Sequence, residues 1–227
     1  VSTATGGNWA TGGTWVGGSA PAAGQIAIIA TTGANSVTVA AIATCAGIKI
    51  NNGAKLNIGA FTLTVNGNIT INSGATWNET AAATVPCSGN FTNNGSSFTA
   101  STGTHTFSGG SKIISGSTAT SIPSVAITGT ITNNGTLIVS TGLSGAGTLT
   151  QGATGVLNIG NTSTITGLTA SAAGNLVNYS RANTQTVKNA TYFNLTLSGT
   201  SAKTITTASV TVNAVLSMEG TASASAV

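Results

Sequence analysis

Carboxylates are nearly absent from this chain of 227 residues. It has no aspartate and only two glutamates, Glu79 and Glu219, with a single histidine, His105, and two cysteines. Hydrolysis by paired carboxylates needs two acidic groups flanking one bond. Calcium cages need several carboxylates, and zinc sites need three or four His, Cys or acidic ligands. The inventory supplies none of these, so the composition points away from an enzyme, and no cofactor or metal is expected. Charge of either sign is scarce, at 4% of residues where an average domain carries roughly a quarter. The six cations, Lys49, Lys55, Lys112, Arg181, Lys188 and Lys203, are scattered singly. No basic stripe with interleaved aromatics results, so nucleic acid is not an expected partner. Long apolar runs are missing too: Thr, Ser, Asn or Gly interrupts every few positions, well short of the roughly 20 apolar residues of a spanning helix, and membrane insertion is not expected. At 40% hydrophobic residues the chain is nonetheless too apolar for a disordered polymer.

What is present is repetition. IKINNGAKLNIG from Ile48, ITINSGATWNET from Ile69 and NFTNNGSSFTA from Asn90 share one pattern: alternating apolar residues, a small polar turn, then alternation again. Their turn glycines Gly53, Gly74 and Gly95 are 21 apart, and Gly116, Gly135, Gly155 and Gly174 continue the series at 19 to 21. Period-two alternation around Asn-Gly or Ser-Gly reads as strand, turn, strand, with glycine suited to a turn that needs positive φ. Phe193, Leu195 and Leu197, then Val210 and Val212, keep the strands after the glycine is lost. A fixed interval has no purpose in an antiparallel sandwich. A parallel solenoid requires it, because equivalent residues of successive coils must align about 4.8 Å apart. The expected fold is therefore all-β, a parallel β-solenoid of about 20 residues per coil. It is taken as right-handed by the general preference of parallel crossovers. Stacking also accounts for the missing charge, since like-charge ladders repel and Thr, Ser and Asn ladders do not.

Residues 1–36 carry Trp9 and Trp15 but no regular coil and read as an N-terminal cap, with solenoid coils over 37–227. The closing run MEGTASASAV shows no cap, so the coils are expected to continue, or to assemble with another molecule, beyond Val227. GNWATGGTWVGGSAPAAG at the start, ATCAGIKINNGAKLNIG and FTLTVNGNITINSGATW after it, and FTNNGSSFTASTGTHTFSGG resemble the repetitive secreted and surface β-solenoid proteins of Bacteroidetes-type bacteria. The resemblance covers nearly the whole chain. It implies an extracellular or cell-surface location and an adhesin-like or structural role.

The remaining residues divide between bland and functional readings. Cys45 and Cys87 share one phase, two coils apart, near 9.6 Å by the strand spacing. That exceeds the roughly 7 Å reach of a disulfide, so buried free thiols are preferred and a disulfide would need a slip in register. His105, in GTHTFSGG, reads as an outward, solvated side chain without a partner for general-base work. Trp77 falls at an apolar phase and reads as core. Trp9 and Trp15 are candidates for stacking on glycans, although packing of the cap over the first coil is preferred. Thr-x-Thr pairs such as Thr62 and Thr64, Thr104 and Thr106, and Thr204 and Thr206 do not share one register, which weakens an ice-binding reading. The expectation is a non-enzymatic extracellular protein: a β-solenoid segment of a surface adhesin, stalk or self-assembling filament. Its expected partners are further copies, neighbouring segments or glycans. A carbohydrate-binding module using the cap tryptophans or the Thr and Asn ladders is the alternative, with an ice-binding solenoid behind it.

Overall fold

The computed structural model describes residues 1–206 and 209–226. Among them there is no α-helix, and every strand pair is parallel, in about ten stacked coils. Each early coil contributes three short strands to three faces. The first face runs from Ile26–Ile29 through Gly47–Ile50, Ile69–Ile71 and Phe91–Asn93 to Gly167–Thr169, eight strands in all. The second begins at Gly7–Asn8 and passes through Val37–Val39, Lys55–Ile58 and Thr76–Glu79 to Ser97–Thr99. The third starts at Ala43–Cys45, Leu63–Val65 and Val85–Cys87.

Local chemistry shapes these faces. Strands buried on the inward side alternate, so Ile48 and Ile50, Ile69 and Ile71, and Leu63 and Val65 point into one continuous apolar column while the residues between them point out. Pro86 has no N–H to offer, and Val85–Cys87 joins the strand below it only at Cys87↔Val65. Pro123 sits where the strand Thr120–Ile127 is bulged, between Ile122 and Ser124. From there on the second and third faces share single bent strands: Thr120–Ile122 pairs with Leu137–Val139, and Ser124–Ala126 with Gly142–Ser144. The coil is also not uniform in length. The pairing offset is 21 at Ile48↔Ile69, 23 at Phe91↔Ile114 and 18 at Ile131↔Leu149.

The first coil opens at Ile26, which pairs with Gly47, so it begins inside the stretch 1–36 assigned to the cap. Residues 1–25 precede the strand Ile26–Ile29, and among them Gly7–Asn8 adds a short strand to the second face. Gly-rich spacing hid Ile26–Ile29, whose alternation IAII is only four residues long. Ser2 N donates to Ile28 O and Trp9 N to Thr38 O, laying the cap over the free edges of the first coil.

The turn glycines serve two purposes where one was expected. Gly53 and Gly74 have φ of 72° and 76°, a left-handed turn that favours glycine, and Gly116 and Gly174 are also positive. Gly95, Gly135 and Gly155 are not. At Gly95 a Cβ would lie 2.9 Å from Ala75 O, so glycine is needed there for close coil-to-coil approach. The amides of Gly95 and Gly135 are held instead by Asn93 Oδ1 and Asn133 Oδ1, each at 3.2 Å.

Candidate functional site

The densest chemistry in the molecule lies inside the column. Thr76–Glu79 and Thr104–Phe107 alternate so that Trp77 and Glu79, then His105 and Phe107, take the inward phase. His105 is 1% exposed, which corrects its reading as an outward, solvated side chain. Its Nε2 donates to Glu79 Oε1 at 2.7 Å. Trp77 Nε1 donates to the same oxygen at 2.9 Å, while Ser101 N and Oγ donate to Oε2 at 2.7 and 2.9 Å. Burial pushes the Glu79 carboxyl up, but the His105 hydrogen bond and charge, with the Ser101 and Trp77 donors, outweigh it. The group is held below the usual carboxylate range. A carboxylate with all its acceptor positions committed has no free lone pair for a substrate. The only unsatisfied atom of the cluster, His105 Nδ1, is sealed from solvent. Chemically the cluster is a polar clamp between coils. Around it Trp77, Phe91, Phe98 and Phe107 pack ring to ring at 5.7–6.5 Å, in edge and stacked contacts that give aromatic pairs their extra attraction.

Cys45 and Cys87 both pair with Val65, from opposite sides, so the shared phase and two-coil separation hold. Both are free and buried. Burial pushes their thiols up, to about 12 and about 11 respectively. Among the described residues no three His, Cys, Asp or Glu side chains converge, and Glu79 with His105 offers a metal at most two donors.

Trp9 and Trp15 are brought together, 5.0 Å between ring centroids at 76°, with Trp15 Nε1 donating to Trp9 O at 2.6 Å. At 4% and 3% exposure neither presents a ring face on which a sugar could stack, and both pack in the cap as preferred over the glycan-contact alternative. They close the end of the apolar column.

Three polar features escaped the sequence reading. Asn93, Asn133 and Gln151 lie wholly inside, at the phase that Ile and Leu hold elsewhere, and Asn133 Nδ2 donates to Gln151 Oε1 at 2.8 Å. Tyr179 and Tyr192 meet hydroxyl to hydroxyl at 2.9 Å, and Tyr192 donates on to Lys188 O. Outside, the registers Thr132↔Thr150, Thr150↔Thr169 and Thr191↔Thr211, with the bridge beside Thr169 and Thr191, place five threonines in one column of the first face. The signal for the interior amides was present: in FTNNG and ITNNG the first Asn stands two residues after an inward Phe or Ile.

At the far end Leu216 and Met218 continue the columns of Leu195 and Leu197 but are about half exposed. Among the described residues the outer edges of Thr211–Met218 and Thr221–Ala226 have no strand partner. No family model, curated protein or solved structure matches this chain.

Proposed function

We propose that the chain is a non-enzymatic structural segment of an extracellular, cell-surface protein of the Bacteroidetes-type repetitive class, serving as a stalk, adhesin shaft or filament unit. The observation that carries this reading is the unbroken stacking of parallel coils over one apolar column, from Trp9 to Leu197, in which the buried Glu79, His105, Asn133 and Gln151 are tied into clamps between coils. Tension along the axis is then borne by ladders between every pair of neighbouring coils. A surface of Thr, Ser and Asn with almost no charge lets copies lie side by side without repulsion. Leu216 and Met218, about half exposed, offer an apolar surface to whatever stacks on the last coil, a further coil or a second copy. Electron microscopy of native, unrefolded material tests this. Long fibres or slender shafts support the reading; compact isolated particles that turn over a polysaccharide overturn it.

A second reading is favoured by the threonine column. Thr132, Thr150, Thr169, Thr191 and Thr211 make no side-chain hydrogen bonds and repeat at about the 4.8 Å strand spacing, a geometry suited to ordering water on an ice lattice. Faceted ice growth abolished by Thr150→Lys would support it, and unmodified ice growth would remove it.

A further inference from the structure

The third face carries one interruption. Its ladder is continuous from Ala43–Cys45 to Thr162–Ser163 and again from Gln185–Val187 to Thr221–Ala226, but no ladder joins Thr162–Ser163 to Gln185–Val187. The Gln185 side chain is wedged into the break. Its Nε2 donates to Ile159 O at 2.8 Å and Asn161 O at 2.6 Å, and its Oε1 accepts from Arg181 N at 3.0 Å. The result is a notch of about 230 Å³ between residues 161–164 of one coil and 181–186 of the next.

Its lining is polar and cationic. Asn161 Oδ1 and Ser163 Oγ, in its wall, are sealed from solvent and have no hydrogen-bond partner. The Arg181 guanidinium uses Nη1 on Thr184 O at 3.1 Å, and among the described residues no carboxylate lies within ion-pair reach of it. Behind it Lys203 is fully buried, with Nζ held by Arg181 O at 2.6 Å. Burial and the neighbouring Arg181 charge hold Lys203 below the ordinary lysine range. Thr184 and Thr186 add exposed hydroxyls at the rim, and no aromatic ring lines the notch. The volume lies below the roughly 300–1,000 Å³ of pockets for drug-sized ligands, which suits a single sugar ring.

We propose that this notch binds one uronic-acid residue of an acidic polysaccharide. The planar guanidinium of Arg181 takes the carboxylate in a charge-assisted, forked contact. The exposed hydroxyls of Thr184 and Thr186, with Asn161 Nδ2, take the ring hydroxyls. The site stands independently of the structural role, because a shaft without it is still a shaft, and the site would serve a shaft embedded in an acidic matrix.

Calorimetric titration of the whole chain at low salt tests the assignment, using an α-1,4-galacturonate tetramer, its full methyl ester and sodium sulfate as probes. The acid tetramer should bind at least tenfold more tightly than the ester. Arg181→Gln should weaken it about tenfold or more without moving the unfolding temperature, and Arg181→Lys should retain part of the affinity. Should Arg181→Gln misfold, the perturbation of the Asn161 side-chain amide signal on titration of the unmodified protein decides instead. Equal binding of ester and acid, equal binding of sulfate, no saturable binding, or a perturbation that spares Asn161 would each overturn the proposal.

Discussion

Removing the Glu79 carboxylate should be among the most damaging single changes to this fold. Glu79→Ala would strand four donors at once: the buried Trp77 Nε1 and His105 Nε2, and the part-buried Ser101 N and Ser101 Oγ. Breaking a buried pair by deleting one partner costs about 3–5 kcal/mol, because the other is left uncompensated. For a chain of 150–250 residues each kcal/mol moves the unfolding temperature by roughly 2–4 °C, so a fall of ~6–20 °C is expected. Replacing both partners by apolar groups, Glu79→Leu with His105→Phe, should recover much of the loss, since it removes the desolvation cost along with the attraction. The pH dependence has a definite sign. The folded carboxyl is held below its unfolded value, so its contribution is complete above the unfolded value of about 4.3 and is lost as pH falls through the folded one. Circular-dichroism melting of the unmodified protein and both variants, at pH 7 and at decreasing acid pH, checks all three points. A drop below ~4 °C for Glu79→Ala, or a double variant as damaged as the single, would refute the reasoning.

Further perturbations probe other parts of the stack. Gly116→Ala forces a side chain at φ 129° against the Asn93 backbone, and should cost about 1–3 kcal/mol in thermal melting. Gly13→Ala, with nothing within 4 Å, should stay within about 0.5 kcal/mol of the unmodified protein. Cys45 and Cys87, buried and with thiols pushed up, should both resist iodoacetamide at pH 8 in the native state and both react after denaturation; rapid native labelling would contradict their burial. Leu216→Lys with Met218→Lys should leave melting nearly unchanged, because both side chains are already about half exposed, while shortening any end-on assembly seen by electron microscopy. Fibres of undiminished length would remove this end from the joint.

The solenoid was legible because stacking writes itself into sequence. Ile48 and Ile69, or Leu56 and Trp77, are apolar at a fixed interval since each rests on the other. The same rule held the information that was missed. Glu79 stands two residues after Trp77 and His105 two before Phe107, so both occupy the inward phase, and for His105 reading polarity as a sign of exposure overrode it. Asn93 and Asn133 were lost in the same way, absorbed into turns whose glycine amides they hold. The notch could not be read at all. It depends on a ladder that fails to form between Thr162–Ser163 and Gln185–Val187, and no local pattern announces a missing pairing. The five-threonine column likewise emerges only once offsets between 18 and 23 have been resolved, because a constant interval would scatter those residues among different columns.

The central claim is that neighbouring coils, each held to the next, carry tension along the axis, and pulling a single molecule by its two ends tests it most directly. One coil of about 20 residues frees roughly 70 Å of extended chain at 3.3–3.6 Å per residue. The account predicts a ladder of force peaks with release lengths near one coil or small multiples of it, as expected where each repeat contacts only its neighbours. A single release of the whole contour, or extension without resisting force, would contradict it.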